Sequence, residues 1–369
     1  MENSSLTCDI WEYICGLLSN KDKCRLLQCN KNLITFCKPL FTEPIFISKI
    51  TKSQWFDNYT NIILYERLTS DIKFPINMSC LNISTRDDNI NGEYIPNTVT
   101  HLIISDSEIF YGFNGPIKNL PSSITHLSLN SNFNQPIDNL PQSITHLTLG
   151  YYFNQPINHL PETITHLTLG NKFNHSVDSL PNSIKYLTFG ACFNKPVNKL
   201  PPLITHLTFS HGFNQPVDNL PRHIIHLKFG EHFNHPIDNL PSTLVYLTLH
   251  HDFDKPINNL PLSLTHLILG SHFNYPIDNL PFSISHLTLG ECFNQPVNNL
   301  PSSVTHLVLG RRFNQIIKLG HHLEYIEFGE KFDQPIQDIK QYAKKIVISK
   351  KYNWVKHFGI DNISIKLNE

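Results

Sequence analysis

The sequence predicts a short all-α N-terminal segment followed by a parallel β-solenoid of 20-residue turns with little helix. One unit of 20 residues is copied head to tail, and its phenylalanine recurs at every twentieth position from Phe113 to Phe313. A degraded copy begins at Phe332 and a partial copy precedes the array, as expected for the end caps of a solenoid. Residues 6–41 lack this period and carry apolar residues at helical spacing instead.

Each copy of the unit predicts one short strand. In the copy that runs from Phe133 to Tyr152, Leu147 and Leu149 alternate with polar residues, which places both leucines on the inner face of a strand. His146 and Thr148 then face outward. Because 20 residues leave no room for a full helix, we expect the path back to the next strand to be extended.

The segments between the strands predict turns and further core residues. Gly150 suits a left-handed turn at the end of the strand, and the Leu140-Pro141 pair turns the chain again before the next strand. Phe153 and Ile157 are expected to fill the interior. An asparagine follows the phenylalanine in ten copies, and its side chain is expected to bond backbone groups that the return path leaves unpaired.

The outward strand position holds histidine in most copies. Metal binding or general-base catalysis is one interpretation, but rungs about 4.8 Å apart lie in a line, whereas zinc needs ligands around one point at about 2 Å. We therefore interpret these residues as a packing ladder. Stacked like charges should lower the histidine pKa values, so stability should fall as the pH drops through about 6.5. The histidines are 101, 126, 146, 166, 206, 226, 266, 286 and 306, with Tyr186, Tyr246 and Tyr325 in the same place.

Two positions between the turn glycine and the next phenylalanine differ from copy to copy. Variable side chains along one edge of a repeated frame are where a specific partner protein would be recognised. The alternative is an unconstrained, solvent-facing surface. We call these positions the rim; its predicted partner-binding residues are Tyr151, Tyr152, Lys172, His211, Glu231, His232, Asp252, His272, Glu291, Arg311 and Arg312.

Composition narrows the function classes. With 29 Lys plus Arg against 30 Asp plus Glu, the chain lacks the basic field that nucleic acid or an anionic membrane would require. No signal peptide or long apolar run is present, so we expect a cytoplasmic protein with reduced cysteines rather than disulfides. No catalytic motif stands out. We predict that the chain is not an enzyme and has no catalytic, cofactor-binding or metal-binding residues.

The repeat resembles the FNIP repeat, an offshoot of the leucine-rich repeats. Its core reads Phe-Asn-Gln-Pro-Ile from Phe133 to Ile137, and the resemblance covers about residues 96 to 345. Single copies depart from it, with Ser176 and Ile316 in place of proline. The resemblance implies a horseshoe-like, leucine-rich-repeat-like fold and a protein-binding role with no chemistry attached.

Residues 6–41 predict amphipathic helices. Apolar residues between Ile10 and Leu18 fall on one face of a helix, and Ser19 to Asp22 offers a capping box for a second helix that carries Leu26. So small a segment cannot bury its own apolar face well. It therefore requires a permanent partner or docking onto the solenoid.

This segment resembles an F-box, which docks on the Skp-type adaptor of a cullin-RING ubiquitin ligase. Leu6, Asp9 and Asp22 match the F-box pattern together with the apolar residues, whereas Thr7 replaces the usual proline. The resemblance implies a ligase substrate receptor whose solenoid binds the target; the alternative is a binding scaffold with a non-functional F-box. The predicted adaptor-binding residues are Leu6, Ile10, Trp11, Ile14, Leu18 and Leu26.

Together the resemblances divide the chain into four predicted regions. These are an F-box-like helical segment at 1–48, a linking element with some strands at 49–95, the FNIP repeat solenoid at 96–345 and a C-terminal cap at 346–369. An F-box joined to FNIP repeats is similar to proteins encoded by amoebae and giant viruses. That similarity implies the host cytoplasm as the location if the chain is viral.

Overall fold

The computed structural model describes residues 17–29, 40–85, 89–106, 112–318, 323–335, 343–349 and 363–366. The chain divides into two compact units. The first unit comprises Met1–Gln155 and His159–Ile164, and the second comprises Pro156–Asn158 and Thr165–Glu369. Both are built from turns of a parallel β-solenoid, as the sequence predicts.

The first unit contains one described α-helix, α1 (Asn20–Cys29). Ser19 caps it: the Asp22 N–H donates to Ser19 Oγ over 3.2 Å, and the Ser19 hydroxyl donates to the Asp22 carboxylate over 2.6 Å. The buried Lys23 ammonium donates to the carbonyl of Leu40 over 3.0 Å. The helix that follows the predicted capping box is therefore present, and it is tied to the start of the strand-bearing chain.

A single helix of this kind is not specific to an F-box. Of the predicted adaptor-binding residues, Leu6, Ile10, Trp11 and Ile14 lie outside the described residues. Leu18 is half-buried just before α1, and Leu26 lies within α1. The predicted all-α N-terminal segment thus has one of its helices described.

Six short strands of the first unit form one parallel ladder. One apolar residue of each strand from Ile62 to Leu147 stands in register with the next, which stacks the inner face. Two further strands, β4 (Ile90–Asn91) and β6 (Ile117–Lys118), pair with each other. The six are β1 (Ile45–Phe46), β2 (Asn61–Leu64), β3 (Cys80–Ile83), β5 (His101–Ile104), β7 (His126–Ser128) and β8 (His146–Thr148).

The second unit contains eleven described strands, each parallel to the next and in register with it. The repeat length of 20 residues fixes this register, because equivalent residues of successive copies become partners. The strands are β9 (His166–Thr168), β10 (Tyr186–Thr188), β11 (His206–Thr208), β12 (His226–Lys228), β13 (Tyr246–Thr248), β14 (His266–Ile268), β15 (His286–Thr288), β16 (His306–Val308), β17 (Leu323–Glu327), β18 (Ala343–Ser349) and β19 (Ile363–Lys366).

The core lies inside each turn, where the sequence predicts it. Leu147 and Leu149 are buried, while His146 and Thr148 are half-buried and exposed on the outer face. The repeated phenylalanines are also buried and stack in a column. In the second unit their ring centroids are 6.1 to 6.3 Å apart from Phe173 to Phe332.

The asparagine that follows each phenylalanine bonds the backbone of the next turn, as predicted. In the first unit Asn134 Oδ1 accepts the N–H of Asn154 over 2.8 Å. In the second unit the same bond joins Asn214 to Asn234 over 3.0 Å, and it recurs along the array. The extended return path is thus hydrogen-bonded without a helix.

The expectation of a left-handed turn at Gly150 is wrong, since no described glycine has a positive φ. A Cβ atom added at Gly150 would fall on the backbone carbonyl oxygen of Asn130, in the preceding turn. The same overlap would arise at Gly270 with the carbonyl of His250. Glycine is favoured there because successive backbones approach closely, not because of the dihedral angle.

The ladder extends beyond the region predicted from the repeat. Its first strand, β1, lies within the predicted F-box-like region, and β2 and β3 lie within the predicted linking element. At the other end β18 crosses the predicted boundary at residue 345, and β19 follows it. Among the described residues, no helix has the length and apolar character needed to cross a membrane.

Candidate protein-binding rim

The outer strand face carries the predicted aromatic ladder. In the first unit the ring centroids of His101, His126 and His146 lie 4.0 and 4.1 Å apart in sequence. In the second unit the spacing is 4.1 to 4.4 Å from His166 to His306, with Tyr186 and Tyr246 stacked in the same column. Tyrosine can replace histidine here because the position requires a flat ring.

Neighbouring hydroxyl groups fix the orientation of these rings. Thr145 Oγ1 lies 2.9 Å from His146 Nδ1, and Ser285 Oγ lies 2.9 Å from His286 Nδ1. Burial lowers the pKa of the ladder histidines at 126, 206, 226, 266 and 286, and neighbouring imidazoles lower all but that of His226 further. The predicted direction is confirmed, but burial, not repulsion between like charges, is the larger cause.

The rim is held by a backbone ladder of its own. In the first unit the Tyr152 N–H donates to the Ser131 carbonyl over 2.7 Å. In the second unit equivalent bonds of 2.7 to 3.0 Å link successive turns, including His232 to His211 and Asp252 to Glu231. Variable side chains are therefore displayed on a fixed frame.

All of the predicted rim residues reach solvent. Tyr151 and Tyr152, in the first unit, are 43% and 50% exposed and meet edge to face with ring centroids 4.8 Å apart. Asp252 is half-buried in the second unit. The other second-unit residues are exposed: Lys172, His211, Glu231, His232, His272, Glu291, Arg311 and Arg312.

Ion pairs occupy part of the rim of the second unit. His211 Nε2 lies 3.1 Å from Glu231 Oε1. Arg311 contacts two carboxylates, with Nε 3.0 Å from Glu330 Oε2 and Nη1 3.5 Å from Glu291 Oε1. Because these pairs are solvent-exposed, each contributes little to stability, and their main effect is to orient charges along the rim.

Three histidines converge on the Asp252 carboxylate. His251 Nδ1 lies 2.8 Å from Oδ1, His232 Nδ1 lies 2.8 Å from Oδ2, and His272 Nδ1 lies 3.8 Å from Oδ1. Hydrogen bonds from His251 and His232 lower the pKa of Asp252, which keeps it ionised. We call His232, His251, Asp252 and His272 the rim cluster. Sequence reasoning missed it as a group, although its signal is histidine and aspartate at rim positions of successive copies.

A groove of 310 Å³ lies in the second unit between the strand face and the rim. Thr188 and Thr208 line one side at the outward strand position, where Lys228 replaces the usual threonine. Glu231 and His250 line the other side. Sequence reasoning missed this groove, and its signals are two departures from the repeat, lysine for threonine and histidine for the turn glycine.

His250 brings an unsatisfied nitrogen to the groove. Its Nε2 atom is buried and has no hydrogen-bond partner among the described residues. Burial lowers its pKa first and the Lys228 charge lowers it further, so the ring is neutral at pH 7. A neutral, unpaired ring nitrogen beside an ammonium group makes this groove polar at its rim and chemically distinct from the other turns.

Comparison with known proteins places the repeat in one family. The FNIP Repeat model matches residues 113–211 and 213–331 through seven overlapping segments. Among solved structures the chain is similar to CroV588, a circular leucine-rich-repeat protein of a giant virus, with 34% identity and a TM-score of 0.66. That alignment covers 80% of this chain and 54% of CroV588, so the chain spans about half the length of that protein.

A second similar structure is YopM from Yersinia enterocolitica, with 18% identity and a TM-score of 0.45. The alignment covers 84% of this chain and 68% of YopM. No curated protein matches the chain.

Proposed function

The chain belongs to the FNIP repeat family, and on that premise we propose that it is a non-catalytic scaffold that recognises a partner protein through the groove of its second unit. A leucine-rich-repeat-like scaffold of this kind is suited to protein–protein interaction. The observation that carries the proposal is the division of each copy into a constant frame and a variable, exposed rim. A fixed frame lowers the ordering cost of binding, and variation at the rim supplies specificity.

The groove favours an extended peptide segment that carries an acidic side chain. Lys228 is exposed, and no described carboxylate forms an ion pair with it, whereas Glu231 is already paired with His211. The Thr188 and Thr208 hydroxyls add hydrogen-bonding groups beside the ammonium group. A volume of 310 Å³ is near the lower end of ligand pockets, which suits a few side chains of a longer segment.

Affinity capture from extract of the host cell, quantified by mass spectrometry, tests this proposal. The full-length wild-type chain is compared with Lys228→Glu and with Lys195→Glu, which makes the same charge change at an exposed position outside the groove. We expect Lys195→Glu to retain the partner and Lys228→Glu to lose at least about tenfold, since a desolvated charge pair becomes a repulsion. Equal capture by both variants would contradict the assignment to the groove.

We further propose that the chain is a substrate receptor of a cullin-RING ubiquitin ligase, with residues 1–48 binding the Skp-type adaptor. The F-box-like spacing of Leu6, Ile10 and Ile14 supports this, together with the presence of helix α1. In the alternative the F-box is non-functional and the chain acts as a scaffold alone. Binding of a target by the rim does not distinguish the two.

Co-purification of the full-length chain with the Skp-type adaptor and cullin separates these alternatives. Ile10→Asp and Ile14→Asp should abolish capture, because a carboxylate cannot replace an apolar anchor in a buried interface. Ile316→Asp is the matched control, since Ile316 is 57% exposed in the second unit. Absence of capture by the wild-type chain would remove the ligase proposal and leave the scaffold.

We also propose a cytoplasmic location. Cys80, Cys192 and Cys292 are free thiols in the described part of the chain, which supports a reducing compartment. Imaging of the fluorescently tagged full-length chain in the host cell tests this; signal confined to the secretory pathway would contradict it.

A further inference from the structure

We propose that the rim cluster is a binding site for a divalent transition-metal ion, zinc by preference, with His251, Asp252 and His272 as its ligands. This inference goes beyond the proposed function and does not depend on it. It also revises the expectation, drawn from the strand-face histidines alone, that the chain has no metal-binding residues.

The three ligands come from two successive turns whose relative position the backbone fixes. The His272 N–H donates to the His251 carbonyl over 3.0 Å, and Asp252 follows His251 directly. One ligand atom from each of the three side chains lies within 4.8 Å of the other two. Ligand atoms around a tetrahedral zinc lie about 3.4 Å apart, given bonds of about 2.0 to 2.1 Å.

Small side-chain rotations bring the three groups to that geometry. The contact of 2.8 Å between His251 Nδ1 and Asp252 Oδ1 must open, and the contact of 3.8 Å between His272 Nδ1 and the same oxygen must close. His251 and His272 are exposed and the rim is open, so no core residue has to move. The bound ion replaces the hydrogen bond that the carboxylate now makes with His251.

His232 orients the carboxylate from the opposite side. Its Nδ1 atom lies 2.8 Å from Asp252 Oδ2, which leaves Oδ1 directed toward His251 and His272. Metal-binding carboxylates commonly have such a second partner, and loss of the partner typically weakens metal affinity by about 10- to 100-fold. His232 is therefore a positioning residue and not a ligand.

The ligand set indicates the class of ion. Two imidazoles and one carboxylate suit zinc and its neighbours in the transition series, whereas calcium and magnesium take sites built from oxygen atoms. Three protein ligands leave a fourth position for water or for a group from a partner protein. The strand-face histidines do not compete, because their rings stack in a line and share no common point.

The first unit supplies a matched control. His159 Nδ1 lies 3.3 Å from Asp138 Oδ1 on an exposed surface, which gives a histidine–aspartate pair of similar kind. No third histidine, cysteine or acidic ligand of the described residues joins that pair. His159→Asn therefore removes an exposed histidine beside a carboxylate without removing a ligand of the rim cluster.

Competition with a chromophoric chelator tests the proposal on the full-length, tag-free chain after removal of metal. We expect the wild type and His159→Asn to hold one zinc equivalent with the same affinity. Asp252→Asn and His272→Asn should weaken that affinity at least about tenfold, and His232→Asn about tenfold. Cobalt should give the absorption bands of four-coordinate Co²⁺ in the wild type and not in Asp252→Asn.

Two results would overturn the proposal. One is the absence of a stoichiometric zinc site in the wild type, and the other is equal zinc affinity in the wild type and Asp252→Asn. Circular dichroism in the absence of metal checks that the variants are folded, which their positions on the rim favour. Partner capture by the Lys228→Glu chain is measured separately, so failure of the groove assignment leaves this result unchanged.

Discussion

The strand face and the rim of the second unit use the same side chain in two different ways. On the strand face histidine recurs once per copy and its ring stacks on the next ring at 4.1 to 4.4 Å. On the rim histidine occurs in a few copies only, and three such residues turn toward Asp252. Regular repetition yields a packed column, whereas a local departure from the repeat yields a chemically specific site.

The difference teaches where stability and function reside in the chain. Frame positions are buried or stacked and are constrained in every copy, so changes there should alter the free energy of unfolding. Rim positions are exposed and vary, so changes there should alter binding and leave folding intact. The predictions below test this division, beginning with the largest expected effect.

Phe213→Ala should destabilise the second unit strongly. Phe213 is fully buried and stacks on Phe209 with ring centroids 3.8 Å apart, so truncation leaves a cavity. We expect a loss of about 3 to 5 kcal/mol in the free energy of unfolding, measured by denaturant titration. Glu231→Ala on the rim is the control, expected within about 0.5 kcal/mol of the wild type. Similar losses in both variants would break the division between frame and rim.

Gly270→Ala should have the next largest effect. The added Cβ atom would overlap the His250 carbonyl oxygen of the preceding turn, so two backbones must separate. Overpacking of this kind typically costs about 1 to 3 kcal/mol. Ser210→Ala is the control, because Ser210 already carries a Cβ atom at the equivalent position. Thermal unfolding of both variants measures the difference, and an unchanged Gly270→Ala would show that the turns move apart freely.

The smallest expected effect is a change in pH dependence. Burial lowers the pKa of His206, His226 and His266 in the folded state, so the unfolded state binds more protons below about pH 6.5. Stability is therefore full above that pH and is lost as the pH falls. Each ring should contribute well under about 1 kcal/mol, because its exposed edge is screened by solvent.

Replacement of those three histidines by tyrosine sharpens the test. Tyrosine already occupies the same column at Tyr186 and Tyr246, so stacking should survive while the titrating groups disappear. We expect the triple variant to lose less stability than the wild type between about pH 7.5 and 5.5, measured by thermal unfolding. His159→Tyr, outside the ladder, should behave as the wild type. An identical pH response in all three chains would contradict the account of the ladder.

Most of the frame could be predicted from the sequence because the repeat length fixes the register. Once Leu147 and Leu149 are placed inside a strand, His146 must face outward, and its equivalents in other copies must stack. The role of Gly150 could not be predicted correctly. Its constraint arises from the carbonyl oxygen of Asn130 in the preceding turn, and a local turn pattern does not reveal that distance.

The site was less predictable for a related reason. The rim was identified by its variation, but the convergence of His251, Asp252 and His272 depends on side-chain directions in two adjacent turns. The groove likewise depends on Lys228 and His250, which appear in the sequence only as isolated departures from the repeat. The first strands of the ladder were missed because their spacing is irregular and their residues do not follow the 20-residue pattern.

Hydrogen–deuterium exchange of the full-length chain, with and without the partner obtained by capture, tests the central claim most directly. The account predicts that partner binding protects residues 208–212, 228–232 and 250–252, which carry the groove and the adjacent rim. Exchange on the return path, for example at 214–218, should remain unchanged. Protection confined to the return path, with the groove and rim still exchanging freely, would contradict the account.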